Sequence, residues 1–369
     1  MNTIYIPSFY LKGFKVIEDL EVKELAPMNL IAGDNNVGKS TLLEALYLLL
    51  SPNNIYECLL QLACKRFGFS PDIDTAQNDE TRQKLILSFF KNWIFNLGET
   101  ISLQTKQEKI KLTLGYFYWE HTKGEDGELY RKKAFVTDKQ KLDRLEWKYL
   151  QKAICIAINE RESIYSLEGT SFIYGPEQYS SPKNVQLIQT TFSSKEQNAR
   201  LWNNISLTGL EKYVVKALQL IDPDVENLAF LKEEENIASN IYVPYITLKN
   251  HQGRYPLRIM GDGMNRILSL ILSIVNCANG VCLIDEIENG IYYRRQSEIW
   301  EMIALLVEQL HVQIFATTHN WDCIRGFSEI ATNKNAQLIR LEKRQKGLVA
   351  ISYSAKELQI AMDKDIELR

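Results

Sequence analysis

The chain has 369 residues, 45% hydrophobic and 24% charged, which allows one large domain with an insertion, or two domains, and excludes a disordered chain. A net charge of −3 with a pI near 6.0 supplies no global basic field, so nucleic-acid binding must be argued locally. The longest apolar stretches, Leu42 to Leu50 and Ile267 to Val275, are too short to span a membrane, and the polar N-terminus does not read as a signal peptide; the expectation is a cytoplasmic protein with no membrane partner.

The first informative element is a mostly apolar run, Met28 to Ala32, followed by Gly33-Asp34-Asn35-Asn36-Val37-Gly38-Lys39-Ser40-Thr41 and a helical run, Leu42 to Leu50. Strand, glycine loop and helix start are the context a P-loop needs, which leaves a chance match in an ordinary strand-to-helix turn as the weaker reading. Gly33 and Gly38 let backbone N–H groups approach phosphates, and the helix N-terminus adds partial positive charge. The expected nucleotide-binding set is Gly33, Asn35, Asn36, Val37, Gly38, Lys39, Ser40 and Thr41. Lys39 is expected on the β/γ oxygens and Ser40 on Mg²⁺.

Residues 51 to 245 carry no phosphate motif. Their pattern predicts helix from Asp79 to Leu97, strands at Ile101 to Thr105 and Ile110 to Trp119, and helix from Asn198 to Leu220. Gly124-Glu125-Asp126-Gly127 predicts a hairpin turn. Lys132 to Lys148 is locally basic but interrupted by Asp138, Asp143 and Glu146, which favours a solvated helix face and leaves DNA or a polyanionic partner open. Tyr116 to Trp119 favours a half-buried strand over a base-stacking surface. No heptad register is sustained, so a long coiled-coil arm is not expected. Cys58, Cys64, Cys155, Cys277, Cys282 and Cys323 show no CxxC spacing and read as buried thiols.

Met260-Gly261-Asp262-Gly263-Met264-Asn265-Arg266 precedes the apolar helical run and predicts a second helix N-terminus able to face an anion. Val281 to Ile284 reads as a strand buried on both faces, ending in Asp285-Glu286. Asp285 is the expected Mg²⁺-shell residue and Glu286 the expected base that orients or deprotonates water. A third apolar run, Val312 to Ala316, leads to Thr317-Thr318-His319-Asn320, placing a histidine at a strand end where α/β sheets gather ligands. His319 is the expected γ-phosphate sensor. The candidate catalytic residues are therefore Lys39, Glu286 and His319.

Lys39 and Asp285 are 246 residues apart, and the glycine turn, carboxylates and histidine then follow closely. That order resembles the ATP-binding-cassette (ABC) head rather than ring-forming AAA+ motors, which place the carboxylate strand nearer the P-loop. Within that class, Phe9 to Lys15, GDNNVGKST, MGDGMNR, LIDEIENG, ATTHN and the chain's last strands and terminal Glu367-Leu368-Arg369 resemble the overcoming-lysogenization-defect (OLD) type. That branch includes stand-alone ATPases of the PARIS, Septu and Gabija anti-phage systems. The resemblance covers roughly residues 1 to 50 and 240 to 369.

It implies an α/β fold: an ABC-type P-loop head with a mixed central sheet and an antiparallel lobe (1–53 and 240–369), carrying a mainly helical insertion (54–239) that also completes the lobe. It implies ATP and Mg²⁺ as cofactors and a homodimer or higher oligomer of heads. Gly261, Asp262, Gly263 and Arg266 would act in trans as the signature, with Glu288-Asn289-Gly290 as the D-loop. Gly261 stands where the cassette signature has serine, so contact would rest on backbone N–H groups, supplemented by Arg266. Ile291-Tyr292-Tyr293 stands where many relatives have a histidine. The Q-loop glutamine stays open among Gln104, Gln107, Gln186 and Gln189.

Only 50 residues follow His319, read as a helix, two strands and a helix, too few for the TOPRIM nuclease domain of fused OLD proteins. The resemblance therefore implies a switch or sensor ATPase that controls a separate nuclease-like effector in phage defence. Two alternatives stay open: a DNA repair or recombination ATPase of the SMC/RecF-like group acting directly on DNA, and an ATP-bound scaffold with little turnover. A transporter subunit fits the insertion and signature least.

Overall fold

The computed structural model describes residues 4–69, 79–123, 129–145, 150–168, 184–189, 195–232, 242–345, 347–364 and 366–368. In chain order, β1 (Phe9–Phe14) and β2 (Ile17–Val22) form a hairpin, and β3 (Met28–Ala32) leads through the glycine loop into α1 (Lys39–Leu50). Then come α2 (Ile55–Phe67), α3 (Asp79–Leu87), β4 (Thr100–Thr105), β5 (Lys109–Lys123), β6 (Leu129–Val136), α4 (Lys139–Leu142), β7 (Gln151–Ile158), β8 (Arg161–Ser166) and β9 (Val185–Ile188). The chain continues with α5 (Lys195–Ile205), α6 (Glu211–Ile221), β10 (Val225–Lys232), β11 (Tyr242–Leu248), β12 (Tyr255–Pro256), α7 (Asp262–Asn276) and β13 (Val281–Ile284). It closes with α8 (Gln296–Leu310), β14 (Gln313–Thr317), α9 (Trp321–Lys334), β15 (Ala336–Arg344), β16 (Gly347–Tyr353) and α10 (Ala355–Asp363).

The central sheet has the order β16-β15-β3-β14-β13-β9 and is parallel except for β16. Its middle strands are apolar on both faces because both are covered. In β13, Val281 and Leu283 join the core under α1 and the lobe, whereas Cys282 and Ile284 join the core under α7 and α8. In β14, Phe315 faces the first core and Ile314 and Ala316 the second. The lobe is an antiparallel sheet, β2-β1-β4-β5-β7-β8 with β6 on β5. All six cysteines are free and buried. Among the described residues no helix is long and apolar enough to cross a membrane.

The middle of the chain departs from its sequence pattern. The helix expected over Asp79 to Leu97 ends at Leu87, because Phe89 and Phe90 turn into the core and Asn92 and Trp93 take left-handed backbone angles. The helix expected from Asn198 to Leu220 is two helices, broken at Leu207 and Gly209, both at positive φ. The basic stretch from Lys132 is divided: it begins in strand β6, paired along β5, continues in the short helix α4, and from residue 146 lies outside the described residues. Tyr116 to Trp119 lie in β5, as expected. The range expected as insertion is less helical than anticipated: β4 to β8 build the lobe, and β9 pairs with β13 in the central sheet. The expected turn at Gly124 to Gly127 lies outside the described residues.

Candidate nucleotide site

Three strand ends converge on one cleft. β14 lies between β3 and β13 and pairs with both in parallel, so the P-loop, the carboxylates and the histidine all emerge at the carboxyl edge, where α/β sheets bind ligands. The cleft, about 680 Å³, is lined by Val16, Asn35, Asn36, Gly38, Lys39, Ser40, Thr41, Asp285, Glu286 and His319.

The loop is shaped for anions. Gly33, Asn36 and Gly38 have φ of 149°, 61° and 112°. Gly38 caps α1 in the left-handed region with no side chain on the helix's first N–H groups, which leaves those donors and the positive end of the helix for a ligand. Lys39 is 8% exposed and folds back, donating to the carbonyls of Gly33 at 2.7 Å and Asp34 at 2.9 Å. Burial lowers its pKa, while Glu288, Glu286, Asp285 and Asp34 pull the other way.

Asp285 is tied from two sides: Ser40 Oγ donates to Oδ1 at 3.1 Å and Thr317 Oγ1 at 2.6 Å. The same Thr317 hydroxyl accepts the Glu286 backbone N–H at 2.8 Å. That bond holds Glu286 at φ 46°, a conformation that costs a non-glycine residue about 1 kcal/mol. His319 precedes Asn320, whose side chain caps α9 by accepting the N–H groups of Asp322 and Cys323. Its own backbone N–H donates to Glu288 Oε1 at 3.1 Å, and Nδ1 lies 3.3 Å from that oxygen and 3.8 Å from Glu286 Oε1.

Residues 28–322 match the family described as "AAA domain, putative AbiEii toxin, Type IV TA system". The chain belongs to this P-loop ATPase family. It is also 20% identical over 393 residues to a protein of Helicobacter pylori (strain ATCC 700392 / 26695) named "ATP/GTP phosphatase", covering 98% of this chain and 99% of that one. Among solved structures it is similar to an SMC head bound to the C-winged helix domain of ScpA, with TM-score 0.50, 13% identity and coverage of 98% and 100%. The fold is accordingly that of an ABC-type P-loop ATPase head.

Membership in this AAA-domain family implies a bound nucleotide, usually with Mg²⁺, and the residues present fit both. Ser40 Oγ and Asp285 Oδ1 are adjacent hard oxygen donors; two suffice for Mg²⁺, which retains waters and phosphate oxygens as its other ligands. A second cleft of about 670 Å³ continues from the first through Val16, Asn36 and Thr41, and includes Lys15, Arg66, Trp93 and Lys343.

The signature turn is placed apart from this cleft. Gly261, exposed and at φ 92°, caps α7, whose first residue is Asp262. A Cβ at Gly263 would lie 3.5 Å from the Gly290 carbonyl, so the turn abuts the 288–290 loop. Arg266, expected to face a neighbour, is instead 2% exposed inside its own head. Burial lowers its pKa, with Asp285, Glu288 and Glu286 opposing. The apolar residues around it, Ile267, Leu268, Leu270 and Ile271, draw that turn of α7 into the core. Of the four glutamines, Gln189 directly follows β9, level with Asp285, since Ile188 pairs with Ile284.

The roles of Thr317 and Glu288 were missed in the sequence. A threonine closing an apolar strand just before Thr318-His319 was the available signal for the first; Glu288 offered none beyond its nearness to Asp285 and Glu286.

Proposed function

We propose that this chain hydrolyses ATP as a nucleotide-gated dimeric switch and controls a separate nuclease-like effector in bacterial anti-phage defence. The observation that carries the reading is the convergence of Lys39, Ser40, Asp285, Glu286 and His319 on one cleft, while the glycine turn capping α7 lies outside it and exposed. A site with its phosphate donors on one face and a second helix N-terminus elsewhere is completed by another copy.

In this reading the N–H groups at the start of α1 hold the phosphates, with Asn35, Asn36 and Val37 closing the loop over them. Lys39 leaves the Gly33 and Asp34 carbonyls for the β/γ oxygens. Ser40 and Asp285 hold Mg²⁺, which when bound neutralises phosphate charge. Glu286 accepts a proton from the attacking water, and His319 hydrogen-bonds the terminal phosphate. The nucleoside half runs into the second cleft. From a second copy, Gly261, Asp262 and Gly263 bring the N-terminus of α7 to the same phosphates. Enclosing the nucleotide favours the closed pair, and hydrolysis releases it.

The H. pylori relative's name supports nucleotide hydrolysis, and the family's description, a toxin of a toxin–antitoxin system, supports a role in which a second protein takes part. The SMC likeness is one of fold and does not favour direct action on DNA over this reading. Light scattering with saturating ATP and Mg²⁺ tests it: Glu286→Gln is expected to accumulate as a dimer, and Lys39→Ala to stay monomeric without bound nucleotide. A monomeric Glu286→Gln protein would refute the switch. Copurification from the native host tests the effector, which Glu286→Gln is expected to retain or release differently from Lys39→Ala; equal recovery with both variants counts against nucleotide control.

A further inference from the structure

Two complementary groups stand unsatisfied in one buried cluster. Arg266 has no hydrogen-bond partner for Nε, Nη1 or Nη2, and Glu288, 8% exposed, has none for Oε2, among the described residues. A guanidinium is a donor-only fork shaped for a carboxylate, and burying either without its partner is costly. Glu288 is meanwhile engaged through its other oxygen, Oε1, with the backbone N–H and Nδ1 of His319. The two groups belong to elements that touch where Gly263 meets Gly290, one turn of α7 before Arg266 and two residues after Glu288. Displacing the first turn of α7 against this loop is therefore what would join or part them. Arg266 does not line the cleft, so it acts only through another residue.

Resting on the dimer reading, we infer that Arg266 is a positioning residue for hydrolysis: when α7 engages the nucleotide of a second copy, its guanidinium takes Glu288 and frees His319 for the phosphate. Bidentate pairing with the arginine fork would bring a third donor to Oε1, where it competes with the Nδ1 contact of His319. The Nδ1 contact that restrains the imidazole in the open head is thus exchanged for a buried ion pair in the closed one. A head binds its own nucleotide without this exchange but hydrolyses it slowly until the neighbour's is in place.

The test is steady-state hydrolysis by the full chain carrying Arg266→Gln, Arg266→Lys, Glu288→Gln and the Arg266→Gln/Glu288→Gln pair. Arg266→Gln is expected to lower kcat about tenfold, the usual effect of removing a group that orients a catalytic one, with KM for ATP unchanged and ATP-induced dimerisation intact. Arg266→Lys, which keeps the charge but loses the fork, falls between. The double variant is expected to match Glu288→Gln alone, because the arginine works through that carboxylate. Additive losses, or wild-type kcat in an Arg266→Gln protein that dimerises normally, overturn the inference. If Arg266→Gln does not fold, Arg266→Lys with an unchanged melting temperature must still lower kcat, and wild-type kcat there overturns it equally. Failure of the dimer reading itself shows separately, as a Glu286→Gln protein that remains monomeric.

Discussion

The Thr317 hydroxyl donates to Asp285 Oδ1 at 2.6 Å and accepts the Glu286 N–H at 2.8 Å, so one side chain at the end of β14 fixes the carboxylate of Asp285 and the backbone of Glu286 just past the neighbouring strand. Thr317→Val preserves volume but leaves that N–H unpaired beside the buried Asp285. Stability is expected to fall by about 1–3 kcal/mol and kcat by about tenfold. Thr317→Ser should recover both in melting and turnover measurements. Equal activity of the Val and Ser variants would mean the hydroxyl is not what orients the acidic pair.

Two glycines of the site answer differently to a methyl group. At Gly33 a Cβ would lie 2.6 Å from the Leu341 carbonyl oxygen, on a backbone at φ 149°. Gly33→Ala is expected to cost about 1–3 kcal/mol and to abolish nucleotide binding by calorimetry. At Gly261 nothing lies within 4 Å and only the φ of 92° opposes the change. Gly261→Ala should bind nucleotide as a single head yet dimerise poorly, and loss of binding there would place the turn in the cis site.

Burial pushes the Lys15 ammonium down to about 8 from 10.5, with Glu44 opposing and Arg66 adding to the shift. A lysine whose folded pKa is depressed releases its proton earlier in the folded state than in the unfolded one. Between pH 8 and 10.5 the unfolded chain thus binds more protons, and this group's contribution to stability rises with pH, by about 3 kcal/mol in all. The difference in unfolding free energy between wild type and Lys15→Met should grow in the wild type's favour across that window. A flat difference would mean Lys15 titrates normally.

Trp93 is 53% exposed, held edge-on by Phe67 at 5.6 Å, on the wall of the second cleft. If the nucleoside occupies that cleft, Trp93→Ala is expected to raise KM for ATP about tenfold, the scale of one stacking contact on a base, with kcat unchanged because the chemistry lies at the other end. A kcat loss at constant KM would remove Trp93 from the nucleoside's path.

The sheet strands were readable because burial on both faces leaves an uninterrupted apolar run, as in Val281 to Ile284, and because β3, β13 and β14 each lead into residues of the candidate site. Lys39, Ser40, Asp285, Glu286 and His319 fall within one cleft although the outermost two are 280 positions apart. The helices of the middle segment were less readable. Periodicity carries through Leu87 without registering that Phe89 and Phe90 are claimed by the core, or that Leu207 and Gly209 break the next helix. Arg266 illustrates a deeper limit. A charge beside a glycine turn looks like a surface group, and only the packing of α7 turns it inward. The second cleft draws on separate segments around residues 15, 66, 93 and 343, a combination no local pattern encodes.

The interposed strand β14 has a mechanical consequence. β3 and β13, which lead into the glycine loop and the acidic pair, share no backbone ladder; besides their outer partners β15 and β9, each pairs with β14, at Ile31 opposite Thr317 and at Ile284 opposite Ala316. Any slippage of that strand would shift the cradle, the carboxylates and the histidine by different amounts. The geometry of the candidate site therefore has the tolerance of one five-residue strand, which makes β14 the ruler of the site as well as the strand that leads to His319.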